Sequence, residues 1–431
     1  MSEEPEVVTK GLQKIKKLFR KVGPGFITGA ADDDPSGIAT YSIAGAQFGY
    51  RLSWLSLFLL PMMIAIQEMC GRIGMVSGMG LAGTIKKFYS KKLLLLAVTL
   101  LIVANTINIS ADLGIMAASL EMLIGWPFLI WLVLVTLLTL VLEIFVSYKR
   151  YSTFLKFMGL SLLVYGLTML ITKQDWGEVA RNTLIPHLNF NGVYLMTMVG
   201  FIGTTISPYL FFWQASEEVE EEIEDGQVKD FDKKPKVGRR QIAFLRRDTI
   251  VGMVFSNIVA FFIVLTAAAT LHANGITDIE TPYQAALALK PLAGNFAFFL
   301  FTFGIVGIGL QAVPILAGSV AYAVSEAFGF QEGLSKKLEQ AKAFYFVIVL
   351  ATIVGGIINL VGINPIRALY YTAIINGLIS VPLIAIIIKL SDDARVVGNF
   401  KTSKINKIIA RVTFVFVGTA SILLIAGLVK Q

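Results

Sequence analysis

Four stretches of this sequence, residues 182–216, 249–277, 291–325 and 343–366, contain no Asp, Glu, Lys or Arg. Each exceeds the roughly 20 apolar residues that carry a helix across a bilayer core. A chain built from such runs cannot close around an ordinary water-soluble core. Composition agrees, with hydrophobic residues at 55% before any glycine is counted and charged residues at 15%, where globular domains hold about 45–50% and 25%. The single cysteine, Cys70, excludes a disulfide scaffold and any cysteine-rich zinc or redox centre. The net charge of +8 points to membrane orientation and not to nucleic acid, because basic residues collect in loops between apolar runs.

Apolar runs bounded by charge or turn residues predict eleven transmembrane helices in an all-α integral membrane protein. They lie at about 22–50, 52–77, 93–120, 124–147, 152–172, 191–216, 246–272, 292–325, 340–361, 365–389 and 409–429. A cytoplasmic N-terminus puts Lys86, Lys87, Lys91, Lys92, Lys149, Arg150, eight basic residues from Lys229 to Arg247, and Lys401, Lys404 and Lys407 on the inner side. The outer connections then keep only Arg51, Lys173, Arg181, Lys290, Arg367 and Lys430, as the positive-inside rule requires.

The organisation expected is a cytoplasmic segment at 1–21, which has no signal-peptide pattern, and a first five-span unit at 22–172. An outer loop follows at 173–190, then a second five-span unit at 191–389 with a solvated cytoplasmic loop at 217–245. A cytoplasmic loop at 390–408 and an eleventh span with the C-terminus at 409–431 complete it.

Five spans leave a chain on the opposite side of the membrane, so two such units in series are inverted repeats, an arrangement common to secondary transporters. Spans one and six become equivalent. Both carry a proline within polar or small residues, in AADDDPSGI at 30–38 and GTTISPYL at 203–210. Proline removes a helical hydrogen bond and crowds the preceding turn, so both spans are expected to unwind at the centre and offer carbonyls to a cation.

Asp32, Asp33 and Asp34 stand between apolar runs. One carboxylate at a helix centre costs roughly 2.5–3.5 kcal/mol on the mildest scale, so three in succession call for a cation or water. An interfacial cluster would leave only the uncharged residues 35–50 before Arg51 to make the span. In span three, Asp112 lies near Asn105, Asn108 and Ser110, either as part of a structural polar stripe or as a proton site. Glu68 and Arg72 are four apart and pair with each other. Gln311 and Asn376 either reach an ion through water or bond between helices. His187 and His272 fall at outer loops.

Gly23-Pro24-Gly25-Phe26, then Asp34-Pro35, Ala39-Thr40 and Gly45-Ala46-Gln47-Phe48-Gly49-Tyr50 form one ungapped string. It resembles the NRAMP family of divalent metal transporters, which implies a LeuT-like fold of two inverted repeats. The usual Asp-Pro-Gly-Asn of that family reads Asp34-Pro35-Ser36-Gly37 here, keeping the metal-binding carboxylate and losing the amide. Met-Pro-His-Asn becomes Ser207-Pro208-Tyr209-Leu210, without thioether or histidine. Asp-Leu-Ala-Glu becomes Asp112-Leu113-Gly114-Ile115, without the glutamate implicated in proton movement, and no arginine pair occurs in span nine. These departures resemble the NRAMP-related magnesium transporter branch, in which proton coupling is lost.

The resemblance implies a metal site of Asp34, Gly37, Thr204 and Ser207 with Asp32 and Asp33 beside it, water-mediated contacts from Gln311, Asn376 and Tyr209, and Asp112 as a residual proton site. Thioethers suit softer metals, whereas carboxylate, hydroxyl, carbonyl and water suit magnesium and manganese. Magnesium keeps several waters, and the smaller Ser207 and Gly37 are expected to leave room for them. The function expected is uptake of a partly hydrated magnesium or manganese ion, with no resident cofactor, by a monomer in the cell membrane. Two alternatives stand: a proton-coupled manganese or iron symporter, and an Asp-rich membrane prenyltransferase binding magnesium diphosphate.

Overall fold

A proline in the first helical turn sacrifices nothing, since the N–H it lacks has no partner inside the helix. Four of the longer described helices begin on one. The computed structural model describes residues 23–145 and 162–429, and its principal elements are helices. These are α1 (Pro24–Asp32), α2 (Pro35–Phe48), α3 (Trp54–Ser77), α4 (Leu81–Phe88), α5 (Lys91–Ile124), α6 (Phe128–Phe145), α7 (Leu163–Ile171) and α8 (Trp176–Leu184). There follow α9 (Gly192–Thr205), α10 (Pro208–Glu224), α11 (Arg239–Thr270), α12 (Ala297–Phe328), α13 (Lys342–Ile358), α14 (Pro365–Asp392) and α15 (Lys404–Val429). Pro24, Pro35, Pro208 and Pro365 open α1, α2, α10 and α14.

Among the described residues, nine helical stretches are long and apolar enough to cross a membrane. The expected first span consists of α1 and α2, each too short alone. Of the expected fifth span at 152–172, α7 is the described part. The expected N-terminal segment at 1–21, Lys149 and Arg150 lie outside the described residues. The surface is that of a membrane protein: on α6, Leu129, Leu137 and Phe145 are 53%, 54% and 77% exposed, while Asp32, Asp33 and Asp34 are 0%, 0% and 1% exposed.

Prolines within the apolar runs do not all act alike. Pro61, Pro314 and Pro382 lie inside helices that continue through them. At Pro35 and Pro208 the helix stops. Asp33 (φ −84, ψ 56) and Asp34 (φ −67, ψ 173) separate α1 from α2, and Ile206 (φ −119, ψ 68) and Ser207 (φ −85, ψ 134) separate α9 from α10. The second residue of each pair is extended, the conformation required just before proline.

α5 and α12 pack along each other at the centre, with α13 and α14 also against α5, while α1 and α2 lie on α11, α10 on α3 and α9 on α14. Two of these crossings depend on glycine. A Cβ at Gly29 would lie 2.2 Å from the Gly252 carbonyl carbon, and one at Gly203 would lie 2.0 Å from the Ala373 oxygen.

Within the loop expected at 217–245, the structure leaves only the residues between α10 and α11 outside helices. α10 continues to Glu224 and α11 already begins at Arg239, and Glu217, Glu218, Glu220 and Glu222 are 7%, 2%, 6% and 3% exposed. Sequence charge mistook a buried helical turn for a loop because glutamate propagates helices well. The ion pair expected between Glu68 and Arg72 is present, and Arg72 Nη1 also donates to the Phe400 carbonyl at 3.2 Å.

Candidate metal site

Where α1 stops and α2 starts, Asp34 caps the new helix. Its Oδ1 accepts from the Gly37 amide at 2.8 Å and from the Ser36 hydroxyl at 2.6 Å. Its Oδ2 accepts from Asn108 Nδ2 on α5 at 3.0 Å. Hydrogen bonds to a charged group are the stronger kind, about 1.5–3 kcal/mol, and here they hold a buried carboxylate in one orientation.

The second break faces the first. Ser36 Oγ lies 3.4 Å from Thr204 Oγ1, the Tyr41 and Thr205 hydroxyls are 3.0 Å apart, and the Tyr209 hydroxyl donates to the Ala31 carbonyl at 2.9 Å. Thus the start of α10 is bonded to the end of α1, and the end of α9 to the start of α2. The Ser207 hydroxyl is within reach of two carbonyls at the end of the preceding helix α9, Gly203 at 2.9 Å and Thr204 at 2.8 Å. Having one proton to give, it keeps its oxygen lone pairs for a ligand.

Asp32 and Asp33 turn toward α11. Ser256 Oγ lies 2.6 Å from Asp32 Oδ2 and 3.3 Å from Asp33 Oδ1. The other oxygens, Asp32 Oδ1 and Asp33 Oδ2, are buried without a partner among the described residues. Both oxygens of Asp112, Asn108 Oδ1, Gln311 Oε1 and Asn376 Nδ2 are in the same condition. An orphaned buried carboxylate is costly, and Asp32, Asp33 and Asp112, which carry such oxygens, all lie near Asp34. Asn108 and Asp112 are one helical turn apart on α5, so Asp112 is the next acidic group beyond the Asp34 contact. No hydrogen bond joins Gln311 or Asn376 to Asp34 among the described residues.

Space at Gly37 differs from expectation. A Cβ there would meet Thr204 Oγ1 at 3.2 Å and Tyr41 Cε2 at 3.3 Å, so Thr204 and Tyr41 already occupy the room that a smaller residue was expected to free. Gly37 contributes its amide to Asp34. Among the described residues no three His, Cys, Asp or Glu side chains are arranged to hold a metal ion between them. A cation here needs hydroxyls, carbonyls and water to complete its shell.

Ser36 and Ser256 are the residues the sequence left unassigned. Ser36 is covered by the departure from the family motif at 36–37. Ser256, followed by Asn257 within the uncharged run 249–277, offered only its polarity as a signal.

A family model described as Natural resistance-associated macrophage protein-like, Nramp, matches residues 25–427. The divalent metal cation transporter MntH of Yersinia pestis is 27% identical over 318 residues, covering 72% of this chain and 73% of the relative. The protein of the same name from Brucella suis is 25% identical over 358 residues, covering 80% and 75%. In structure, the Eremococcus coleocola manganese transporter aligns with a TM-score of 0.77 at 17% identity, over 99% of this chain and 89% of that one. Mhp1, a nucleobase-cation-symport-1 family transporter, aligns at 0.59 with 13% identity over 95% and 90%. These structural likenesses concern the fold, whereas the match from residue 25 to residue 427 concerns descent: the chain belongs to the Nramp family of divalent metal transporters.

Proposed function

We propose that the protein takes up magnesium and manganese across the cell membrane as a partly hydrated ion, bound between the two helix breaks with Asp34 as its principal ligand. The observation that carries this reading is the pair of facing breaks, with a capped and oriented Asp34 on one side and Thr204 and Ser207 on the other. Oxygen ligands without sulfur favour hard cations, and the absence of a three-residue acidic cage among the described residues suits an ion that keeps part of its water. Asp32 and Asp33 hold that water shell. The relatives named as divalent metal cation transporters and the manganese transporter of like fold support the substrate class.

Eleven spans in two inverted repeats, unwound at the centres of spans one and six, fit the packing. The second half of span one, α2, lies on span seven, α11, and the second half of span six, α10, lies on span two, α3. Exchanging one repeat for the other exchanges these two contacts. The N-terminus is cytoplasmic, and one copy holds both halves of the centre, so the monomer is the working unit.

Transport runs without protons. Moving two charges through 100 mV yields about 4.6 kcal/mol, enough for roughly three decades of accumulation. Ile115 offers no proton relay beside Asp112. The alternative, a proton-coupled manganese or iron symporter, is favoured by one observation: Asp112 is 0% exposed with both oxygens unpartnered among the described residues, a group able to hold a proton. Prenyl transfer is removed, because Nramp family members are transporters and not enzymes.

Manganese uptake into proteoliposomes tests the reading. Wild-type protein accumulates manganese, and Asp34→Ala, eluting as a folded species, stays at the protein-free background. Wild-type flux in Asp34→Ala overturns the assignment.

A further inference from the structure

Asp248, Gly252 and Ser256 follow one another at intervals of four residues on α11, which sets them on one helical face. α1 lies along that face. Where α1 begins, Asp248 accepts from the Gly23 and Phe26 amides at 3.0 and 3.1 Å. Further along, a Cβ on Gly29 would lie 2.2 Å from the Gly252 carbonyl carbon. Where α1 ends, Ser256 Oγ meets the Asp32 and Asp33 carboxylates at 2.6 and 3.3 Å. The two helices are thus fixed against each other at three levels, and the seat delivers Ser256 to the break.

A serine or threonine in a helix commonly turns its proton back to a carbonyl of the preceding turn, as Thr270 of the same helix does to Thr266 at 2.6 Å. Ser256, 1% exposed, bonds across to α1 instead. Consecutive side chains of an unbroken helix point about 100° apart. Asp32 and Asp33 reach one hydroxyl because α1 stops between them, with Asp33 at φ −84, ψ 56. A hydroxyl has one proton to give, so a single donor serves two buried carboxylates, and the shorter distance assigns it to Asp32. Asp32 Oδ1 and Asp33 Oδ2 keep no partner among the described residues.

We propose that Ser256 is a positioning residue of the transport centre: its hydroxyl holds the Asp32 carboxylate against α11, so that Asp32 and Asp33 meet the hydrated ion already oriented. The proposal rests on the reading that the ion binds at the helix breaks with Asp34 as its principal ligand. A group fixed in its bound orientation needs no ordering when the ion arrives, so Ser256 acts on affinity and not on the turnover of saturated protein.

Manganese uptake into proteoliposomes tests it. Ser256→Ala raises KM about tenfold, the effect of one hydrogen bond to a charged group, and leaves the maximal rate of the folded protein within about twofold. Ser256→Thr keeps the hydroxyl and the wild-type KM. A residue that only packs α1 on α11 would lower the yield of folded protein or the maximal rate with KM unchanged, and that result overturns the proposal. Manganese titration of the full-length detergent-solubilised protein, read by electron paramagnetic resonance, identifies the partner. Ser256→Ala weakens binding about tenfold in the wild type and in Asp33→Asn, and by less than about twofold in Asp32→Asn, where the bond is already lost. An equal loss in all three backgrounds overturns the role assigned through Asp32. Asp34→Ala separates the two claims. Wild-type uptake there removes the transport-centre reading and this proposal with it, whereas no uptake there beside a wild-type KM in Ser256→Ala overturns the role of Ser256 alone.

Discussion

Asn108 donates its side-chain amide to Oδ2 of Asp34 at 3.0 Å, so the long α5 reaches across to the carboxylate that caps α2. The contact joins span three to the break in span one. It leaves Asn108 Oδ1 buried and without a hydrogen-bond partner among the described residues, where it can face an ion.

Asn108→Leu removes both the donor and that spare oxygen while keeping the side-chain volume similar. A hydrogen bond to a charged group contributes about 1.5–3 kcal/mol, and 1.4 kcal/mol is a factor of ten. The KM for manganese uptake should rise at least about tenfold with the protein still folded. An unchanged KM would mean that Asn108 serves packing alone.

Ser207→Met restores a thioether at the start of α10. The soft ligand should favour manganese over magnesium, shifting the ratio of their uptake efficiencies by about tenfold or more, as measured by competition flux. Gly37→Asn is the less informative change, since its Cβ would press on Thr204 Oγ1 at 3.2 Å and on Tyr41 at 3.3 Å. If Ser207→Met leaves the magnesium-to-manganese ratio untouched, residue 207 does not select the ion.

Gly29→Ala tests the seat of α1 on α11. The added Cβ would lie 2.2 Å from the Gly252 carbonyl carbon, and backbone cannot yield as a side chain does. Overpacking of this kind costs about 1–3 kcal/mol and occasionally more, so thermal unfolding in detergent should move down by several degrees. An unaltered transition would show that α1 is free to shift away from α11.

The broken helices were legible because proline coincides with small, polar or acidic neighbours at 30–38 and 203–210. Pro61, Pro314 and Pro382 show that proline alone would have misled, since their helices continue. That Asp34 and Thr204 would lie at the two breaks was legible from the segments 30–38 and 203–210 that hold them. Ser256 was not, because a serine in an apolar helix more often bonds its own backbone, and only the tertiary fold brings it to Asp32 and Asp33. The acidic run after Ser216 was misread for a related reason. Its burial depends on α3 and α12 packing against α10, which local charge does not encode.

The central claim is that a divalent ion crosses alone. Proteoliposomes loaded with a pH indicator and given a potassium diffusion potential, negative inside, measure metal influx and lumenal pH together, with magnesium and manganese compared side by side. The account predicts that both ions enter, that influx follows the imposed potential, and that the lumen does not acidify in step with it. An acidification proportional to metal influx and abolished in Asp112→Asn would contradict the account and identify a proton-coupled symporter.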